Sequence, residues 1–361
     1  MKDESVKIKF TDRWHFIDLM KTIGLLFVVM YHYDTYSYDI QENAGLLIYC
    51  RYCLRAILST GVPLFFFASG YLFFHRDFQL EKHVRKTIKM VAQAVAWGIL
   101  GLLIIMPIEG QYFSAGEFLH NLVRLAPMGW INHLWFMEVL VFIYIFAPFL
   151  RKMFDKDKRY LVLLTVISGA VTVMNCVISN GAGIIPDTVL KDRFVSIENT
   201  LYTTIRGFSV VFFCAGGLAK GFENKIKRLK HINRISAGVI IVSCLLLSAA
   251  GIFLTVIQGV QWDVVYNGYD TLFTFMNVIC IYILTLNYRG NIGIIKTISC
   301  NTLGIYYIHN ILIRLTGKYA SGIPLFCNFF GSMIYAAGLI LTGLLIVTLM
   351  KKIPLMKKLV S

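Results

Sequence analysis

From the N-terminus onward the chain alternates long apolar stretches with short polar, basic ones. The apolar stretches lack the regular polar interruptions, at every second or every third to fourth residue, that mark half-buried strands and helices of soluble domains. Ten of them approach the roughly 20 residues that span about 30 Å of hydrocarbon. They cover 16–33, 55–74, 90–107, 133–150, 160–179, 204–221, 235–257, 268–287, 295–314 and 329–350. The pattern predicts an all-α polytopic membrane protein of about ten transmembrane helices, since a helix satisfies its own backbone groups where water is absent. The stretch 295–314 is the least hydrophobic and is expected to lie centrally, shielded by its neighbours. No repeat, linker or low-complexity segment divides the chain. Residues 1–361 therefore read as one integral-membrane domain, with a short leader at 1–15 and a short tail at 351–361. The first apolar run follows a basic lead and carries no small-residue cleavage site, so it is not a removable signal peptide.

Composition agrees: 57% of the 361 residues are hydrophobic, only 15% are charged, and the mean hydropathy is +0.67. The net charge of +15 raises nucleic-acid binding as a possibility. The basic residues, however, alternate by loop instead of forming one patch. They fill the leader, 75–89 (HRDFQLEKHVRKTIK), 151–159 (RKMFDKDKR), 220–234 (KGFENKIKRLKHINR) and the tail, while the intervening loops hold few. By the positive-inside rule both termini are cytoplasmic, and no nucleic-acid partner is implied. Of eight cysteines, five fall within apolar stretches, where Cys behaves as a small hydrophobe. Cys50-x-x-Cys53 lacks a second ligand pair, so no metal is predicted.

Candidate chemistry begins in RWHFIDLMKTIGLLFVVMYHYD, residues 13–34, where an apolar run carries Asp18, Lys21 and His32. Eleven residues of helix turn about 1100°, which returns Lys21 and His32 to within about 20° of one face and separates them by about 16 Å. Asp18 precedes Lys21 by three, a spacing suited to an ion pair. Charge inside a membrane is costly and normally faces protein or a wet cavity. A lone Lys near a helix start could instead extend towards the headgroups. Three polar residues on one stripe favour the cavity.

The same stretch resembles the first helix of the acyltransferase-3 family: an aromatic-polar lead, FIDLMK, then ten apolar residues, then His. The family usually carries Arg where this chain has Lys21, and a point charge does not replace a planar fork. GVPLFFFASGYLFF (61–74), HLWFMEVL (133–140), RGFSVVFFCAGGLAKG (206–221) and SCNTLGIYYIHNILI (299–313) also resemble family segments, in order along nearly the whole chain. The resemblance implies a bacterial multi-pass membrane enzyme that moves an acyl group from a cytoplasmic donor to surface carbohydrate.

Depth along the expected helices gives the candidate residues their roles. His32, His133, Glu138, Arg206 and His309 converge towards one leaflet, which suggests a polar chamber open to the exterior. A base of near-neutral pKa must take the acceptor's proton, and His32 is the first candidate, either as base or as covalent acyl carrier. Arg206 is expected to stabilise developing charge, Glu138 to orient a histidine or balance Arg206, and His309 to act as a further catalytic group. His133 and Trp135 are candidate acceptor-binding residues, although both also suit an interfacial aromatic belt. Tyr306, on the same face as His309, is a third candidate substrate-binding residue.

The donor is expected to be acyl-coenzyme A, with acetyl-CoA first, held by Lys21, Ser69, Arg76 and Lys86. The same cations are equally explained by topology and anionic lipid. The acceptor is expected to be an extracytoplasmic glycan or lipid-linked sugar. With eleven residues after the last apolar stretch, the chain is expected to act alone or through a separate extracytoplasmic transferase. The competing reading is a transporter or polysaccharide-export partner on the same scaffold.

Overall fold

The computed structural model describes residues 13–33, 38–42, 45–123, 131–182, 184–185, 189–190, 207–290 and 292–360. Each of the ten apolar stretches meets a helix there, and no strand occurs among the described residues. In chain order the helices are α1 (His15–His32), α2 (Leu46–Arg55), α3 (Gly61–His75), α4 (Leu80–Glu109) and α5 (Ala115–Val123). Then come α6 (Trp135–Lys156), α7 (Lys158–Ala182), α8 (Phe208–Ala219), α9 (Glu223–Arg228) and α10 (Ile232–Gln258). The last four are α11 (Leu272–Thr285), α12 (Gly293–Ala320), α13 (Phe329–Met350) and α14 (Pro354–Val360). A 3₁₀ turn over Ala56–Thr60 joins α2 to α3 into one rod.

Among the described residues seven helical segments are long and apolar enough to cross a membrane, against the ten expected. They are α1, the α2–α3 rod, α4, α6 with its leading turn, α7, α10 and α13. The difference has a physical origin. α8 and α11 are apolar but span only 12 and 14 described residues. α12 has length to spare at 28 residues, yet it buries Ser299, Asn301, Thr302, Tyr306 and His309. A helix that turns its polar face onto its neighbours need not be apolar all round, as one bathed in lipid must be.

Two packing relations set up the site. α1 and α12 lie side by side: Lys21 meets Ser299 near one end, and His32 meets His309 near the other. Eleven residues on α1 thus match ten on α12, as two helices with the same 1.5 Å rise and the same direction require. α3 and α8 approach more closely still. A Cβ on Gly70 would strike the Phe213 carbonyl, and one on Gly216 would strike the Phe67 carbonyl. Only hydrogen at both positions lets the two backbones come together.

The end of α3 is braced from α6. Arg151 Nη1 donates to the carbonyls of Phe73, Phe74 and Arg76 at 3.1, 3.1 and 3.0 Å, while its Nε pairs with Asp155 at 2.8 Å. These are carbonyls that the helix itself leaves unpaired at its C-terminus. The tail segment α14 is anchored in the same way, through Gln93 to the Lys358 carbonyl at 2.8 Å and Trp97 to the Leu359 carbonyl at 2.9 Å. Trp97 in turn stacks on Tyr307 of α12.

Candidate active site

A cavity of about 540 Å³ opens between α1, α3, α4, α6 and α12. Its mouth lies where α3 ends and α4 begins, and carries Arg76, Lys82 and Lys86, all exposed, with Asp77 beside them. Its walls are mostly apolar, with Phe65, Ala68, Leu72, Phe136, Leu140 and Leu303 among them. Four expected donor-binding residues, Lys21, Ser69, Arg76 and Lys86, all line this one space. Its deep end is closed by Phe136 and Tyr306, whose rings stand 5.5 Å apart.

Lys21 reaches the wall by a route the sequence did not suggest. Asp18 does not pair with it. Instead Arg13, just before α1, grips Asp18 with two hydrogen bonds of 2.5 and 2.8 Å, and Ser299 Oγ donates to Asp18 at 2.6 Å. Lys21 Nζ donates to the Ser299 carbonyl at 2.5 Å. The spacing of three allowed a Lys21 pair, but a guanidinium offers two parallel donors and satisfies both carboxylate oxygens at once. The Lys21 ammonium has three donors, and the Ser299 carbonyl is its one hydrogen-bond partner among the described residues.

Immediately beyond the closed end sit three imidazoles. The His309 ring lies 5.2 Å from that of His32 and 5.3 Å from that of His133. His309 and His133 are buried and His32 is half-buried. Tyr306 ties this group to the cavity: its hydroxyl donates to the His133 carbonyl, and its own carbonyl accepts from His309 Nδ1. Asn310 bonds His133 Nδ1 at 3.1 Å. Among the described residues no group of three His, Cys, Asp or Glu side chains is arranged to hold a metal ion.

A family model for an acyltransferase domain matches residues 14–351, nearly the whole chain. The chain belongs to the acyltransferase-3 family. It is accordingly a multi-pass membrane acyltransferase by family and architecture. No curated protein and no solved structure matches it.

Within this acyltransferase the remaining candidates lie elsewhere. Glu138 is exposed on α6, while its neighbours Met137 and Val139 are buried, so its side chain is turned away from the imidazoles. Trp135 packs its ring against Phe208 and Tyr269, towards α8 rather than α12. Arg206 lies outside the described residues. Two groups went unnoticed in the sequence. Asn310, one residue after His309, carried no signal beyond its adjacency. Arg55, grouped with the few basic residues of the less basic loops, is 1% exposed, with its guanidinium 3.9 Å from the Tyr38 ring centroid. Nothing in its local sequence distinguishes a buried Arg from a solvated one.

Proposed function

We propose that this protein transfers a short acyl group, acetyl in the first instance, from acyl-coenzyme A on the cytoplasmic side to a hydroxyl of an extracytoplasmic glycan or lipid-linked sugar. The reading is carried by one observation: a basic-mouthed, apolar-walled cavity ends one side chain away from a cluster of three imidazoles. The mouth suits a ligand with phosphates at one end, since Arg and Lys there offer charge-assisted hydrogen bonds. The apolar walls suit its uncharged arm. Lys21 and Ser69 stand along the way as donors for amide carbonyl oxygens of the donor's arm. The basic end is the cytoplasmic one by charge bias, which puts both termini inside and the imidazoles towards the outer leaflet.

The chemistry asks for a proton acceptor at the attacking hydroxyl and a donor at the developing oxyanion. The imidazole cluster offers both. Tyr306 and Phe136 stand at the deep end of the donor cavity, with the imidazoles beyond them.

The test is coenzyme A release from acetyl-CoA by purified protein in lipid nanodiscs, beside His32→Ala, with a parallel binding titration. Release that vanishes in the variant while binding persists is the expected result. Absence of both release and binding in the wild type would overturn the donor assignment and favour solute movement or export.

A further inference from the structure

Among the buried side-chain atoms without a hydrogen-bond partner, two belong to neighbouring imidazoles. Nε2 of His133 and Nε2 of His309 are buried and make no hydrogen bond among the described residues. Folded proteins seldom leave buried polar atoms so, and each case calls for a reason.

The opposite nitrogen of each ring fixes what its Nε2 must be. His309 Nδ1 faces the Tyr306 carbonyl, which can only accept. Nδ1 therefore carries the hydrogen, and in the neutral ring Nε2 keeps a lone pair. His133 Nδ1 faces the Asn310 amide nitrogen at 3.1 Å, which can only donate. Nδ1 is therefore the acceptor, and the hydrogen of His133 sits on Nε2. Tyr306 and Asn310 both belong to α12, so one helix holds two histidines in opposite tautomers.

A purely structural pair with these tautomers would close on itself, Nε2–H of one to Nε2 of the other. It does not. The rings stand edge to face, 5.3 Å between centroids at 86°, and both Nε2 atoms stay unpaired. The fold keeps one proton acceptor and one proton donor available together. The Tyr306 ring, which lines the cavity, lies 5.7 Å from the His133 ring and 5.6 Å from the His309 ring.

We infer that His309 is the general base of acyl transfer and that His133 is the hydrogen-bond donor to the acyl oxygen, their opposite tautomers being locked by Tyr306 and Asn310. This rests on the acyl-transfer reading above. The acceptor hydroxyl gives its proton to His309 Nε2 as its oxygen bonds to the thioester carbonyl carbon. The carbonyl oxygen, now negative, takes a hydrogen bond from His133 Nε2–H. When the carbonyl re-forms, the carbon–sulfur bond breaks, and the thiolate leaves with the proton held on His309 Nε2. His32, half-buried on the other side of the His309 ring, becomes the residue that positions the incoming hydroxyl.

Two measurements test this. The first is ¹⁵N imidazole spectroscopy of full-length, histidine-labelled protein in nanodiscs, beside His309→Gln and His133→Gln. The His309 variant should lose a neutral ring protonated at Nδ1, and the His133 variant a neutral ring protonated at Nε2. The same tautomer in both rings, or a cationic ring at neutral pH, would overturn the assignment. The second is coenzyme A release from acetyl-CoA in the presence of a sugar that supplies the acceptor hydroxyl. His309→Gln should lower it about 100-fold or more, with acetyl-CoA affinity unchanged. His133→Gln, which keeps a side-chain N–H, should retain about ten times the activity of His133→Leu. Equal loss in the two His133 variants would reduce His133 to a structural role and overturn its part. The expected tautomers in a wild-type protein that releases no coenzyme A would overturn the acyl-transfer reading, and the two roles with it, while the lock itself stood.

Discussion

At the mouth of the cavity Arg76, Lys82 and Lys86 are exposed on the α3–α4 turn, whereas at its closed end His133 and His309 are buried and each holds a ring nitrogen against α12. The two ends do different jobs with different physics. Flexible cations in water bind a charged ligand through several weak, screened contacts, any one of which can be lost. Buried imidazoles act in a low dielectric, where a misplaced proton is costly, so their geometry must be set by the backbone. A site can thus tolerate a loose entrance but not a loose interior.

That contrast can be broken most sharply at Lys21, which lies between the two ends. Replacing it with Met removes the wall cation and its hydrogen bond to the Ser299 carbonyl, which keeps the one from Thr302 Oγ1. The kcat/KM for acetyl-CoA should fall about 100-fold, in the range of a lost hydrogen bond to a charged group. Lys21→Arg, which keeps the cation, should recover most of that loss, measured by coenzyme A release. Next in size is the scaffold. Gly70→Ala puts a methyl group against the Phe213 carbonyl and should cost about 1–3 kcal/mol by overpacking, read as a lower unfolding midpoint in detergent. Both ends of the site should loosen together in that variant.

A smaller effect separates entrance from interior. Arg151→Ala frees the three carbonyls that end α3 and lets the mouth shift, without touching the imidazoles. KM for acetyl-CoA should rise about fivefold with kcat nearly unchanged, consistent with roughly 1 kcal/mol of lost positioning. Smallest of all, single replacements of Arg76, Lys82 or Lys86 by Gln should raise KM about twofold each. The difference from wild type should vanish in about 1 M salt, where the Debye length is about 3 Å. An effect that survived high salt would mean that these side chains are held as firmly as the histidines.

The readable features of the sequence were those with a local cause. All ten apolar stretches met helices, because hydropathy acts on each segment separately. The 20° offset between Lys21 and His32 put both against α12, because helix geometry is the same in every sequence. The partner of Asp18 was not readable, for the opposite reason. Spacing lists the partners a side chain can reach, and Arg13 won by chemistry that spacing does not weigh. Glu138 shows the same limit: depth along α6 placed it near the imidazoles, but its direction around the helix turned it away.

By itself the sequence determined the helical class, the membrane-spanning character, the family and the charge asymmetry between the ends. All four follow from composition, period or motif. A central place for α12, the least apolar of the long helices, was legible as well. Tertiary structure alone decided which neighbours its polar groups meet, Ser299 with Asp18 and Lys21, and Tyr306 with His133. It alone joined Lys21, Ser69, Arg76 and Lys86 in one cavity, and it alone set His133 against Asn310 across 177 residues of chain. Such contacts depend on how whole helices rotate and lean on one another. That is a sum over many small packing terms that no single segment contains.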